Sequence, residues 1–427
     1  EISYILEDSG SKLLLASSDY KKAVDESRAD TLCSMIIWEG TVKHTDKFNI
    51  PFVEALDTPM EAGAVSLGLE DPAVIIYTSG TTGKPKGAIL SNKNLLSNAY
   101  SGREAIGVKA NDRSVVFLPM FHSFTFTVAV LLFLYVGGSI VIIRSIHPFS
   151  NIFRQILTKR VTIFLGVPDV YNAISRAKLP WYFMWFNKLR VFVSGAAPLQ
   201  PKTLDAMKQK FGRTVLLEGY GLSEASPVVC VNRIEKQKPK SVGPALVGYE
   251  IKIVDEHMNE VPRGEVGEII TRGDNIMSGY LNRPEATAET VIGGWLLTGD
   301  MGYMDEDAYL YIVDRKKDLI ISKGINIYPR ELEEVIDGFA GVKVSAVVGI
   351  VDEHSGEIPA AYLELEDGID DIDESALRLY LRSKLANYKV PRQIHIMDEL
   401  PKNATGKVLK RVLKDMLIKE SMEEKGY

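Results

Sequence analysis

Residues 77–87 read Tyr-Thr-Ser-Gly-Thr-Thr-Gly-Lys-Pro-Lys-Gly, directly after an apolar, β-type stretch at 73–77. Three glycines let the backbone approach a ligand closely, the Thr and Ser hydroxyls donate hydrogen bonds, and Lys84 and Lys86 supply charge, a combination that suits a polyphosphate. The spacing is not GxxxxGK[ST], and helical patterning resumes only after Ser91, a good N-cap, which disfavours an ordinary P-loop NTPase. Taken alone, a Gly/Ser/Thr cluster is more often a flexible polar turn between strands. Further candidates follow at long intervals: Ser194-Gly195-Ala196-Ala197-Pro198, Glu218-Gly219-Tyr220-Gly221-Leu222-Ser223-Glu224, Trp295-Leu296-Leu297-Thr298-Gly299-Asp300, Asp314-Arg315-Lys316-Lys317-Asp318, Ser322-Lys323-Gly324, and Leu400-Pro401-Lys402-Asn403-Ala404-Thr405-Gly406-Lys407.

The elements that must position these groups show in the hydrophobic pattern. Short β-rich runs at 73–77, 114–118, 140–143, 163–167, 189–194 and 215–217 alternate with amphipathic segments such as 152–159 and 201–211, which predicts an α/β region with buried strands. From about 249 the texture changes to closely spaced strands, 250–254, 267–272 and 309–313, a smaller β-rich part. After the five consecutive charges at 314–318 a new unit begins, with a helix from Pro329; the hinge is placed at that charge run, which by itself would be a solvated linker. Residues 117–143 contain no Lys, Arg, Asp or Glu and are long enough to cross a bilayer, for which about 20 apolar residues suffice. Pro119, His122 and Gly137-Gly138 instead divide the stretch into a loop, a helix-length segment at 127–135 and a β-rich run at 139–143. The reading is a buried helix followed by a core strand, and the best place for an apolar ligand.

The chain has 427 residues, a net charge of −6, 46% hydrophobic and 25% charged residues, the composition of a soluble globular protein with two or three domains. It offers no clustered basic field for nucleic acid. Cys33 and Cys230 are far apart and lack CxxC or Cys/His company, so neither a disulfide framework nor a structural zinc site is expected; a reducing, cytoplasmic setting fits. No transmembrane span is expected, and peripheral membrane contact remains compatible. The chain opens Glu1-Ile2-Ser3-Tyr4, without Met or a signal pattern, and a preceding piece of sequence is expected.

In this order, the motifs resemble those of the adenylate-forming superfamily of acyl-CoA synthetases, luciferases and peptide-synthetase adenylation domains. The resemblance runs from residue 77 almost to the C-terminus and is nearest to medium- or long-chain fatty acid–CoA ligases. It implies a large α/β region, residues 1–315, of parallel-sheet subdomains plus a small β-barrel (the β-rich part at about 249–313), followed by a small mobile α+β domain at 316–427. Part of the first subdomain is expected to be missing. The implied phosphate loop is Thr78, Ser79, Gly80, Thr81, Thr82, Gly83 and Lys84. Gly195, Ala196, Ala197, Glu218, Gly219, Tyr220 and Gly221 match the adenine-binding segments, with Tyr220 as the stacking face. Ser223 stands where many relatives carry Thr, and Glu224 is the implied Mg²⁺ ligand, a hard cation on phosphates needing few protein carboxylates. Asp300 matches the ribose anchor and Arg315 the arginine that assists it; Lys317 falls at the hinge. Gly324 would face the pantetheine arm of coenzyme A after rotation, Lys407 is the implied catalytic lysine, and His122 matches a position near the acyl carboxylate.

The implied reaction needs such groups. A carboxylate attacking the α-phosphate of ATP brings two like charges to about 4 Å, a repulsion of roughly 4 kcal/mol at an effective dielectric near 20. Metal, lysine and hydroxyls offset it, giving an acyl-adenylate and pyrophosphate; a thiol then displaces AMP. An amino-acid substrate would need a carboxylate partner for its ammonium, and none occurs in 117–143, so an apolar tail is expected, lined by Phe121, Phe124, Phe126, Val128 and Leu131. Coenzyme A is the default acceptor, with acyl carrier protein as the alternative; Lys384, Lys389 and Arg392 are candidates for a carrier-docking face or simply a solvated helix end. Two readings of other classes compete. Gly221-Leu222-Ser223-Glu224-Ala225 nearly matches the GxSxG elbow of serine hydrolases, with His257, His354 and His395 downstream, but fails at Ala225. The same loops could also hold AMP as a regulatory ligand in a non-catalytic module. Ala308 stands where the resemblance expects Gly in a turn, which puts local geometry in question.

Overall fold

A computed structural model describes residues 1–27, 29–40, 49–57, 63, 65–78, 84–144, 149–352, 354–366, 368–403 and 406–424, with backbone only from 418 onward. The chain forms two compact units, one of residues 1–94 with 277–289, the other of 95–276 with 290–427. It is a mixed α/β protein with a large N-terminal region and a small C-terminal domain, the class the sequence predicts. Among the described residues no helix is long and apolar enough to cross a membrane.

The first unit holds two three-stranded sheets. Leu13–Ser17, Met35–Glu39 and Asn49–Pro51 run parallel, with Ile36 and Trp38 facing a core of Leu6, Val24, Ala29 and Cys33. Pro72–Thr78, Lys86–Ser91 and Gly279–Tyr280 run antiparallel, with Tyr77 opposite Gly87 and Thr78 opposite Lys86. The hydroxyl-rich loop therefore joins two antiparallel strands instead of a strand and a helix. A Cβ at Gly87 would press on Ile75 and the Tyr77 ring, so a side chain there would have to displace them. At the end of this hairpin the Asn94 N–H donates to Ser91 Oγ at 3.2 Å and the Ser91 N–H donates to Asn94 Oδ1 at 2.8 Å, a reciprocal cap that starts the helix Asn92–Ile106.

The second unit is built on a six-stranded sheet in the order Val228–Val231, Val215–Gly221, Val191–Ser194, Ile163–Gly166, Arg113–Val116, Ser139–Ile142, parallel except for the first strand. Its residues alternate between two cores: Val116, Ile163, Leu165, Val193 and Leu217 face one, Val115, Phe164, Phe192 and Leu216 the other. Burial on both faces explains why these strands are unbroken apolar runs. The strand expected in the core at 139–143 is instead the outermost one: Ser139–Ile142 pairs only with Arg113–Val116, and Ile142 is 57% exposed. Before it, Thr125–Leu131 forms a π-helix continued by the α-helix Leu132–Tyr135.

The β-rich part is a five-stranded antiparallel sheet of Tyr249–Val254, Gly267–Gly273, Trp295–Met304 and Val291–Ile292, with Leu310–Arg315 against Trp295–Met304. The 3-10 turn Lys316–Asp318 leads to the C-terminal sheet of Ile325–Ile327, Ile320–Ser322, Gly356–Leu365 and Val342–Asp352, with Gln393–Met397 parallel to Gly356–Leu365. Val347, Ala361 and Leu363 pack on the helices Pro329–Ile336 and Glu374–Lys384, while Val348, Ala360 and Tyr362 pack on Leu413 and Leu417.

Candidate active site

Two of the singled-out segments meet at the carboxyl ends of adjacent parallel strands, where ligands of open α/β sheets bind. Val191–Ser194 and Val215–Gly221 place Ser194 beside Glu218. Beyond Ser194, Gly195 lies under the Phe124 ring, Ala196 turns the chain with φ +70°, and Ala196 and Ala197 are exposed. The Ser194 hydroxyl is buried and has no hydrogen-bond partner among the described residues, so it fits a polar ligand edge arriving there. Burial pushes the Glu218 carboxyl up to about 7, against the pull of Arg330 and Lys208. Gly221 has no room for a side chain, because a Cβ would run into the Pro227 carbonyl.

Tyr220 donates its hydroxyl to Asp300 Oδ2 at 2.7 Å, and Arg315 Nε lies 3.3 Å from Asp300 Oδ1. The pair follows from register, since Asp300 and Arg315 are cross-strand partners. The Asp300 N–H donates to Thr298 Oγ1 at 3.1 Å, which fixes the bend at Gly299, φ +69°. Burial and the Asp300 charge hold the Tyr220 phenol far above its ordinary pKa. Asp300 thus keeps two anchored partners and a carboxylate able to accept from vicinal hydroxyls.

Glu224 lies half-buried in the turn Ser223–Ala225. Asn98 Nδ2 donates to the Val228 carbonyl at 2.7 Å and Asn275 Nδ2 to the Ala225 carbonyl at 3.0 Å, so two buried amides pin that turn. Sequence reasoning overlooked both, because their partners are remote in the chain. Among the described residues no group of three or more His, Cys, Asp or Glu could hold a metal ion. A divalent cation at Glu224 would take its other ligands from phosphate and water, as a hard cation on a nucleotide does.

Ser223 Oγ and Ser123 Oγ are 2.9 Å apart, which brings the His122 segment against the Glu224 turn. The Phe124 N–H donates to His122 Nδ1 at 3.3 Å, so the neutral ring carries its proton on Nε2; burial holds its pKa below the ordinary value. Of the histidines a hydrolase would need, none bonds to Ser223 among the described residues: the backbone N–H groups of His257 and His354 donate to Asp255 and Asp352 within turns, and the His395 ring stacks on Tyr362 at 4.8 Å in the C-terminal sheet. Of the expected apolar lining, Val128 is core, Phe121 is 75% exposed, and Phe124, Phe126 and Leu131 are half-buried.

Lys407 points into the same neighbourhood. Burial, with the Arg315 guanidinium and Lys317 adding to it, lowers its amine to about 8 against the opposing pull of Asp300 and Asp318. Two hydrogen bonds link it to Asn403: the Lys407 N–H donates to Asn403 Oδ1 and the Asn403 N–H to the Lys407 carbonyl, both at 2.9 Å, with Gly406 at φ +82°. The small domain is tied to the large region in this position by Gln200 Nε2 to Asp337 Oδ2 at 2.7 Å and Lys240 to Glu334 at 3.0 Å. Gly324 lies on an exposed turn instead. In the first unit, Thr78 Oγ1 donates to the Lys86 carbonyl at 3.4 Å and Lys84 Nζ lies 5.5 Å from the Tyr4 ring centre. Ser79, Gly80, Thr81, Thr82 and Gly83 lie outside the described residues. Of the carrier-docking candidates, Lys389 is paired with Glu331 at 2.6 Å and Arg392 lies 3.6 Å from Asp352.

The family model for the AMP-binding enzymes matches residues 1–281, and that for the AMP-binding enzyme C-terminal domain matches residues 331–407. Feruloyl-CoA synthase of an Amycolatopsis species is 34% identical over 412 residues, 96% of this chain and 80% of the relative. A long-chain-fatty-acid–CoA ligase of Escherichia coli is 37% identical over 350 residues, 81% of this chain but only 62% of the relative's own length. Crystalline ATP-bound MatB from Rhodopseudomonas palustris superposes with a TM-score of 0.88 at 31% identity, covering 97% of this chain and 81% of MatB. O-succinylbenzoate coenzyme A synthetase of Bacillus subtilis, solved with ATP and magnesium, gives a TM-score of 0.82 at 30% identity, covering 97% of this chain and 81% of that enzyme. The chain belongs to the AMP-binding, adenylate-forming enzymes, and within them to the acyl-CoA ligase type.

Proposed function

We propose that the protein is an AMP-forming fatty acid–CoA ligase of the cytoplasm that uses ATP with Mg²⁺. The carboxylate of the acid attacks the α-phosphorus, the bond to the β-phosphate oxygen breaks, and acyl-adenylate and pyrophosphate result. The coenzyme A thiolate then attacks the acyl carbonyl, and AMP leaves. A divalent cation, when bound at Glu224, would neutralise phosphate charge. Asp300 accepts from the ribose hydroxyls, Arg315 holds Asp300, and the 195–197 and 218–221 segments take the base, with Tyr220 and the Ser194 hydroxyl against it. Ser223 donates to phosphate, and Thr78, Lys84 and the residues between them cradle the remaining phosphates. His122, neutral with its proton on Nε2, donates to the acyl carboxylate. Lys407 stabilises the charge gathering between carboxylate and phosphate, and Lys317 is the hinge about which the domain beginning near residue 316 turns to present Gly324 to the pantetheine arm.

The observation that carries this reading is the buried Lys407 amine in the field of Arg315 and Asp300, the carboxylate that also accepts from Tyr220. The apolar tail is supported by the charge-free stretch 117–143, and coenzyme A over a carrier protein by the pairing of Lys389 and Arg392 within their own domain. A second reading, an aromatic acid, is favoured by the likeness to a feruloyl-CoA synthase over nearly the whole chain. ATP–pyrophosphate exchange across aliphatic acids of increasing length and ferulate separates the two. For a fatty acid ligase, KM falls roughly fourfold per added methylene, the equivalent of about 0.8 kcal/mol each, until the apolar site is filled. Exchange with ferulate alone selects the aromatic reading, and nucleotide binding without exchange means a non-catalytic module.

A further inference from the structure

Residues 180–188 read Pro-Trp-Tyr-Phe-Met-Trp-Phe-Asn-Lys, and Trp181–Phe186 is a short helix on the surface of the second unit. Phe183 is its keel, 2% exposed and edge-to-face with Phe153 at 5.3 Å. Positions 181, 182, 185 and 186 share the opposite side at helical spacing. Trp181, Tyr182, Trp185 and Phe186 are 73%, 46%, 71% and 65% exposed. This is a contiguous aromatic patch, not a scatter of single apolar residues.

The element is held in place. Asn187 Nδ2 donates to the Phe183 carbonyl at 2.8 Å and the Met184 carbonyl at 3.3 Å, and the Leu189 N–H donates to Asn187 Oδ1 at 3.2 Å. Lys210 Nζ donates to the carbonyls of Ile174, Ser175 and Ala177, closing the helix Pro168–Arg176 that comes before it. The aromatic rings are therefore displayed by a packed segment.

The local charge is opposite to that of the chain. The protein carries −6, yet residues 170–204 contain Arg176, Lys178, Lys188, Arg190 and Lys202 and no Asp or Glu. Arg190 is bound to Asp112 at 2.6 Å, and Arg176 and Lys202 lean on Glu366 at 3.7 and 3.8 Å. Lys178 and Lys188, both exposed, bracket the aromatic helix.

We propose that this helix seats the protein on an anionic phospholipid bilayer, with Trp181, Trp185 and Phe186 entering the headgroup–acyl boundary and Lys178 and Lys188 meeting lipid phosphates. Trp and Tyr prefer that boundary, where an apolar body and a polar edge are both satisfied, and basic flanks are drawn to anionic leaflets. A second copy is the poorer partner, because a two-fold contact would set the same cations against each other.

Sedimentation of the full chain with vesicles tests this. The wild type is expected to pellet with vesicles of phosphatidylcholine and phosphatidylglycerol, less with phosphatidylcholine alone, and less as salt rises. Both the triple variant Trp181→Ser, Trp185→Ser, Phe186→Ser and the double variant Lys178→Glu, Lys188→Glu should lose partitioning by on the order of tenfold. If the triple variant fails to fold, the charge reversal, which removes no packed atom, decides alone. Wild type remaining in the supernatant with every vesicle, or variants that bind as it does, overturns the proposal. So does a dimer that the triple variant converts to monomer without any vesicle binding. Exchange with a short soluble acid is run in parallel; its absence from the wild type would count against the ligase reading only, since sedimentation needs no turnover.

Discussion

The small domain carries two glycine-containing turns in opposite settings. Between the strands Ile320–Ser322 and Ile325–Ile327, Lys323 and Gly324 have φ +51° and +77°, the two left-handed positions of a tight hairpin. Between the bridge partners Lys402 and Val408 the chain turns at Gly406, φ +82°. The first turn is exposed, and a Cβ at Gly324 would meet nothing within 4 Å. The second lies against the large region: a Cβ at Gly406 would come within 2.7 Å of Asp169 Oδ2, and the neighbouring Lys407 is desolvated. On the proposed function, the placement of each glycine in the domain decides which turn serves which step. On the proposed reaction, the arrangement described has assembled the first half-reaction and left the parts of the second in solvent.

Removing the inward turn's cation is the largest blow to that comparison. Lys407→Ala should lower adenylation on the order of 10²–10³-fold while sparing thioester formation from supplied acyl-adenylate. Half-reaction kinetics would show it, and equal damage to both halves would break the distinction between the turns. The amine at about 8 also predicts a pH limb. Lys407 is charged below that value and loses its proton as pH rises through it, so adenylation falls about tenfold per pH unit above it. Thioester formation lacks this limb, and Lys407→Arg, slower but always charged, removes it.

The outward turn gives the converse. Gly324→Leu should slow thioester formation roughly 10- to 10²-fold, because a branched side chain would stand where the thiol arm passes, while adenylation changes little. A loss confined to adenylation would mean that Gly324 acts in the inward arrangement after all.

Much of this was legible in the sequence, and the limits have physical causes. Strands buried on both faces are continuous apolar runs, so 163–167 and 189–194 came within a few residues of Ile163–Gly166 and Val191–Ser194. The same pattern misplaced 139–143, since only strand order makes Ser139–Ile142 an edge. Asp300 and Arg315 were singled out as a nucleotide anchor, but the bond from Tyr220, 80 residues away, depends on how two sheets pack. Glu218 near 7 is a matter of burial, which no motif carries. Trp181–Phe186 is apolar on every side and too short for periodicity to declare a helix.

A last variant sharpens the comparison by touching neither turn. Ala308, expected to disturb the geometry of a Gly position, adopts φ +62° in the turn between Trp295–Met304 and Leu310–Arg315, the strands that carry Asp300 and Arg315. Asp305 holds this turn, accepting from the N–H groups of Asp307 at 3.0 Å and Tyr309 at 2.9 Å. Ala308→Gly relieves roughly 1–2 kcal/mol of left-handed strain and adds about 0.4–1 kcal/mol of unfolded-chain entropy, for a net gain of about 0.5–1 kcal/mol. Thermal unfolding should rise slightly, with both half-reactions unchanged, because the bond network at Asp305 already fixes the turn. If adenylation alone changed, the strain would belong to the inward side, held in the hairpin that aims Asp300 and Arg315 toward Lys407.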